Sequence, residues 1–407
     1  MVDQPQKQSF RETMLGLRYT GDCADIFSRG CVEAFIQADW NEFGYPFIQI
    51  FEPDVLREVA WLEGVPEACA VTLRHQPSER MRDLADRASS HGLTVTQSLS
   101  LAAALTSISR FAMASELALA AASGVSTPRE QFELGWIEFL ISNRAQSGRG
   151  SPNAFLRMRE AAETGAVPAG RVIDACTQGI VWYIKRREVP RDIFKWCVAA
   201  GSRLAGSGRS LDRSTISSWY RGLAMVPAAV KRPATTRKYM QLAHDAAQEQ
   251  SAAQSSPFAK NSLKTYYESA LKEHVYITHD FELAMEAGHA LIKLDPLWSP
   301  SYGEMGDACR AFGQAERAAE FYAMAIDAGP PYLGFHLLQA ARCYAALEDD
   351  ARALQCYAEL ARMAPESTSI LSEGLSIARR SSTDLCKSFE SALARSVEPG
   401  PTSRPID

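Results

Sequence analysis

No Cys-x-x-Cys pair, no GxxxxGK[ST] loop, no GxGxxG or GxSxG turn and no HExxH occurs in the 407 residues. Each absence removes a class of chemistry. Without the glycine-rich lysine loop there is no phosphate cradle of the P-loop kind, and without HExxH there is no zincin helix. The nine cysteines stand singly, at spacings that fit no structural zinc site. They are expected to be reduced, mostly buried thiols. The first ten residues hold no basic stretch followed by an apolar one, so no secretion leader is expected and a cytoplasmic location is. The Ala/Leu-rich run Leu99–Val125 is the best membrane candidate, but Arg110 and Glu116 interrupt it. A spanning helix needs roughly 20 strongly apolar residues. The run reads as a buried helical hairpin.

Two weaker signals carry little. Gly206-Ser207-Gly208-Arg209-Ser210 lacks the lysine of a phosphate loop and reads as a connection between helices. Glu286-x-x-His289 has no second copy of the kind a di-iron bundle needs, and its helix position suggests a solvated face. Ser, Cys and His are all present, but a triad is assembled by folding and has no linear signature here. The sequence therefore points to no catalytic residue, no metal site and no cofactor, and leans away from an enzyme.

What the chain does contain is a period. The segments Ala284–Pro296, Ala318–Pro330 and Ala353–Pro365 look alike, and their prolines fall 34 and 35 residues apart. In the clearest unit, Ser299 to Tyr332, the residues Tyr302, Met305 and Cys309 share one helical face. Small residues at Gly306 and Ala318 would let two helices approach closely. The large Tyr322 would fill the space between hairpins, and Pro330 would stop the second helix. The next unit, about Gly334 to Ser367, matches through Leu337, Ala340, Ala341, Tyr344, Ala353, Tyr357, Leu360 and Pro365. The preceding unit, Thr265 to Trp298, keeps Ala284, Leu291 and Pro296 but has Lys272 where a small residue is usual. Either its first helix is shifted or the unit is degenerate.

These residues, at this spacing, resemble the tetratricopeptide repeat. The resemblance implies an all-α fold, an α-solenoid of helical hairpins forming a superhelix, with a groove lined by the first helix of each hairpin. Repeat positions 2, 5, 9, 12 and 13 face that groove in the family. They point here to Tyr266, Glu273, Tyr276, Asp307, Arg310, Phe335, Leu338 and Arg342. The Lys/Asn set with which some members hold a C-terminal carboxylate is absent. The groove is mixed, acidic and aromatic, which suits a peptide with basic and apolar residues.

Upstream the periodicity stays helical while the repeat fades. Helices are expected over Thr94–Ser109, Arg110–Ser123, Phe132–Ser142, a stretch ending near Thr164, and 169–188, 190–205, 212–226, 233–250 and 257–276. Thr127-Pro128-Arg129-Glu130 reads as a helix start. Ala145–Asn153 reads as a loop. The expected division is 1–80, helical but of unclear fold; 81–256, degenerate hairpins; 257–397, repeats plus a terminal helical pair; and 398–407, a loose tail. Within 1–80, Asp22–Asp39 and Asp54–Glu63 suggest helices, and Met81–Ser90 suggests another. Ala247–Ser256 is the expected boundary before the clear repeats.

Charge is uneven. Ile184–Lys238 holds 13 Lys and Arg against three acids, while Tyr266–Glu373 holds 17 acids against seven bases. Lys185, Arg186, Arg187, Arg191 and Lys195 head the basic segment, which also contains Trp182, Tyr183, Trp196, Trp219 and Tyr220. Basic residues with interleaved aromatics can bind nucleic acid. They equally well cover and fill a solenoid, and the overall charge of −5 weighs against a dedicated nucleic-acid binder. The function expected is a non-catalytic adaptor or scaffold for a protein or peptide partner. An enzyme or accessory subunit with a site in the first 250 residues, and a nucleic-acid-associated regulator, are the alternatives.

Overall fold

The computed structural model describes residues 93–397 apart from 108–110, 145–150, 187–188, 208–210, 254–258, 297, 330–331, 366 and 382. The expectations for residues 1–92, for Arg187, Arg209 and Pro330, and for the tail 398–407 lie outside the described residues.

The chain is all-α, a solenoid of helical hairpins, and among the described residues there is no strand. Sixteen described α-helices follow one another: α1 Val95–Ser107, α2 Phe111–Ala122, α3 Pro128–Arg144, α4 Ser151–Glu163, α5 Ala169–Arg186, α6 Arg191–Ala205, α7 Arg213–Ala229, α8 Pro233–Ala253, α9 Ala259–Glu273, α10 Phe281–Leu294, α11 Ser299–Ala311, α12 Ala315–Ala328, α13 Leu333–Ala346, α14 Asp350–Met363, α15 Thr368–Arg380 and α16 Leu385–Val397. Each odd-numbered helix packs against the next even one as a hairpin. The described residues form two compact units, divided between Pro296 and Trp298. The expected break at 247–256 instead falls between α8 and α9, which pack together in the first unit.

The first unit begins with α1 and α2. Leu101, Ala102, Ala114, Ala118 and Ala121 are buried, so the Leu99–Val125 run is the hairpin its composition implied. Among the described residues no helix is long and apolar enough to cross a membrane. The start of α3 is a capping box: Thr127 Oγ1 accepts from the Glu130 N–H at 3.2 Å, and the Glu130 carboxylate accepts from the Ser126 and Thr127 N–H groups at 3.1 and 3.0 Å. The Ala145–Asn153 loop is shorter than composition suggested, because α4 begins at Ser151. Pro227 does not end α7, which runs on to Ala229. It sits in the last turn, where a missing N–H costs one helical bond rather than several.

Along α5 to α9, first helices pack on first helices: α5 on α7, and α7 on α9. The fit depends on side chains that are missing. A Cβ on Gly201 of α6 would lie 2.3 Å from the ring of the fully buried Trp219 of α7.

In the second unit the 34-residue period becomes packing. A Cβ on Gly306 would stand 2.7 Å from the Tyr322 ring, and one on Gly374 would stand 2.6 Å from Phe389. The terminal pair α15–α16 thus repeats the small-against-large contact of the hairpin α11–α12. Met305, Cys309, Ala318, Tyr322, Leu337, Ala340, Ala341, Tyr344, Ala353, Tyr357 and Leu360 are all buried, as their repeat positions require.

The degenerate unit has a structural explanation. Its first helix packs through Tyr266, Ala270 and Glu273, while Lys272 is exposed. Leu271 and Val275, two apolar positions of the register that begins at Thr265, are buried as well, so the register holds in part and Lys272 departs from it. A π turn over His274–Thr278 follows α9 and takes up the extra length before α10.

The Gly306 contact gives a direct test. Gly306→Ala forces a methyl into the Tyr322 ring, and overpacking of this kind costs about 1–3 kcal/mol. Adding Tyr322→Leu should recover part of that loss, because the two sites share one contact. Urea unfolding of both single variants and the double checks this; strict additivity would refute the contact. Gly306→Asp, which buries a charge, should unfold the second unit by circular dichroism.

Candidate functional site

Three places were singled out by type and pattern: the first-helix face of the second unit, the residues around α9, and the basic segment. In the second unit the side chains form a ladder. Tyr322 donates its hydroxyl to Asp307 Oδ1 at 2.6 Å. Arg310, one turn on from Asp307, lies 3.6 Å from the same oxygen and donates to Gln339 Oε1 on α13 at 2.6 Å. One turn further along α13, Arg342 holds Glu373 of α15 with a fork of 3.0 and 2.6 Å. Tyr357 donates to the same carboxylate at 2.7 Å. Tyrosine, carboxylate and arginine thus recur one hairpin apart, and each arginine reaches the first helix of the next hairpin.

The electrostatics follow from half-burial. Burial pushes the Glu373 carboxyl up, but the bonds from Arg342 and Tyr357 outweigh it and hold the group below the usual carboxylate range. Burial, and then Asp307, push the Tyr322 hydroxyl well up, so it stays a donor. Asp307, Arg342 and Glu373 keep about a third of their side-chain surface, and Arg310 keeps 51%. The ladder is charge-balanced, rigid and open on one side.

Of the groove residues read from the repeat, the structure brings Asp307, Arg310 and Arg342 into this ladder. Phe335 is half-buried beside His336. Leu338 is fully buried and belongs to the core. Tyr322, Gln339, Tyr357 and Glu373 complete the ladder and were not read as site residues. The repeat register gave no signal for Glu373: counted from Thr368 it falls at the sixth place, outside the groove positions.

Tyr266, Glu273 and Tyr276 lie in the first unit. Tyr276 is exposed, whereas Tyr266 is buried against His244, with ring centroids 4.6 Å apart. Glu273 is buried at the end of α9, its Oε1 3.4 Å from Arg237 Nε, and among the described residues neither oxygen has a hydrogen-bond donor. Burial raises its pKa, with Arg237 opposing. Arg237 Nη2 stands 2.7 Å from His274 Nε2, which makes that nitrogen the acceptor and leaves Nδ1–H to meet Thr278 Oγ1 at 3.1 Å. Burial, and then Arg237, push the His274 ring down toward its neutral form. Nearby, Lys264 and Asp295 form a buried pair at 3.0 Å. Sequence reading missed this cluster because its members come from α8, α9 and the π turn.

In the basic segment the aromatics are structural. Trp182 is buried edge-on to Phe139 at 5.7 Å, Trp219 is buried on Gly201, Tyr183 stacks on Phe194 at 4.2 Å, and Tyr220 stacks on Tyr239 at 6.3 Å. Trp182 and Trp219 offer no ring to a base. Lys185, Arg191 and Lys195 are exposed. Glu286 and His289 both lie on the exposed face of α10. Among the described residues no three His, Cys, Asp or Glu side chains form a group able to hold a metal ion.

His336 supplies a pH test. It is buried between α11 and α13, and a Cβ on Gly303 would lie 2.4 Å from its Nε2. Burial pushes its pKa down to about 3 from an ordinary 6.5. Below 6.5 the unfolded chain binds a proton that the folded chain refuses until about 3. Stability therefore falls as the pH drops through that window, by about 2 kcal/mol at pH 5. His336→Gln should lose less stability than the parent between pH 7.5 and 5 in urea unfolding; an equal loss would show that His336 does not titrate on unfolding.

No family model matches the chain, and no curated protein matches it. Among solved structures it is similar to a monomeric mutant of IFIT1 with Gppp-AAAA, at 12% identity and a TM-score of 0.41, over 97% of this chain and 87% of that one.

Proposed function

We propose that the protein is a non-catalytic adaptor that holds a protein or peptide segment on the first-helix face of its second unit, as the resemblance to tetratricopeptide hairpins implies. The observation that supports this reading is the ladder from Asp307 to Glu373. Its side chains are fixed by mutual hydrogen bonds before any partner arrives, so little rotamer freedom remains to be lost on binding. They nevertheless present half-exposed acceptors and donors at regular intervals along three helices. A bound segment with a basic side chain would meet Asp307 and Glu373, and an apolar one would meet Phe335. The fully buried Leu338 lies outside this surface.

A nucleic-acid role is weakened, because two of the five aromatics of the basic segment, Trp182 and Trp219, are in the core. An enzymatic role has one supporting observation, the buried and partly unsatisfied cluster of Arg237, Glu273 and His274, since perturbed titratable groups collect at active sites. Structural ion pairs perturb such groups equally well, and His274 already accepts from Arg237.

The test is affinity capture from the native host followed by mass spectrometry. A partner held by the parent should be lost from Asp307→Lys/Arg310→Glu, while the circular-dichroism melt stays within a few degrees. Retention of the same partner by that variant would remove the ladder from the binding surface.

A further inference from the structure

Many surface charges of this chain are already paired. In the first unit Arg157 meets Glu138, Arg159 meets Asp192, Arg171 meets Glu133 and Arg213 meets Glu249. In the second unit Asp349, Asp350, Glu359 and Glu390 each hold an arginine. Exposed charges with no ion-pair partner among the described residues remain on several helices, Glu160 and Glu163 on α4 and Glu282 on α10 among them, and on two helices they form rows. On α6, Arg191, Lys195 and Arg203 are exposed and have no ion-pair partner among the described residues. With Ala199 they fall at intervals of four, so they form one ridge of the helix. On α12, Glu316, Glu320 and Asp327 are exposed and have no ion-pair partner among the described residues, and Met324 stands between Glu320 and Asp327, itself 48% exposed.

The first three terms of the two rows match in spacing: charge, charge, small apolar on α6 against opposite charge, opposite charge, large apolar on α12. Each step of four residues advances about 6 Å on either helix. Aligned in parallel, Arg191 faces Glu316, Lys195 faces Glu320 and the Met324 thioether lies over Ala199, while Asp327, three residues beyond Met324, lies one residue short of the place opposite Arg203. Ridges of this spacing pack into one another at a crossing of about 50°, and methionine adapts to an irregular gap. The two rows carry net +3 and −3, reflecting the opposite balance of the segments that contain them.

We propose that two copies of this chain associate head to tail, the α6 row of one set against the α12 row of the other. The contact is heterologous: it uses two different surfaces and leaves one of each free at the ends, so it builds an open chain or a closed ring. Its pairs are solvent-exposed, so the association is weak and strongly screened by salt. It leaves the first-helix ladder of the second unit uncovered, so it stands independently of the adaptor reading.

Sedimentation equilibrium of the full chain over a concentration series tests it. At roughly 0.05 M salt the parent should self-associate, with its dissociation constant rising at least about tenfold at roughly 0.5 M. Lys195→Glu/Arg203→Glu and Glu316→Lys/Glu320→Lys should each be monomeric at low salt, with melts like the parent. Mixed together, these two variants should associate again, because each supplies the charge the other now lacks. A parent that stays monomeric at low salt, association untouched by either reversal, or a mixture that fails to re-associate would overturn the proposal. So would a monomeric parent whose α6 row instead binds a short RNA through Lys195 and Arg203.

Discussion

The fold depends on helices coming closer than ordinary side chains allow. At three of these contacts one helix gives up its side chain and the other supplies a large ring: Gly306 under Tyr322, Gly374 under Phe389, Gly201 under Trp219. Each contact buries a ring against backbone. A one-atom change at the glycine would push the hairpins apart. Everything further out inherits its position from these contacts. The ladder between hairpins has bonds of 2.6–3.0 Å because the helices that carry it are held at that separation.

This dependence explains why architecture was legible in the sequence and the site only in part. A small residue recurring at a fixed interval has few uses other than helix nesting, so Gly306, Ala318, Ala341 and Ala353 announced the hairpins directly. The ladder is assembled differently. Asp307 and Arg310 came from register alone, but their partners Gln339 and Glu373 sit at positions that no single unit marks. A register also assigns faces only where the helix is regular. In the unit with the π turn Leu271 and Val275 stay buried as the register requires, but Glu273, at a groove position, is buried against Arg237. Another groove position gave an interior leucine at Leu338.

Charge told a similar story. A basic segment with interleaved tryptophans suggested a single binding surface, yet folding separates the two ingredients. The rings go inward, where apolar area is lost to water. The guanidinium and ammonium groups divide further. Arg213 finds an acid nearby, Arg221 and Arg237 turn toward α9, and Lys185, Arg191, Lys195, Arg203, Lys231, Arg232 and Lys238 are exposed. A count of charges along a sequence cannot make that division, because it depends on which helices become neighbours.

The π turn has a consequence for how this chain could change over generations. Such a turn closes a ring one residue wider than its α-helical equivalent, with the His279 and Asp280 amides both reaching the His274 carbonyl. It places one residue more between α9 and α10 than an α-helical turn would. Loss of one residue there could revert to an ordinary helix. The imidazole of His274 would then swing about a third of a circle away from α8, and the guanidinium of Arg237 would face an uncovered carboxylate. A length variation in a single hairpin connection would therefore rewrite the polar interior of the first unit while leaving the 34-residue period downstream intact.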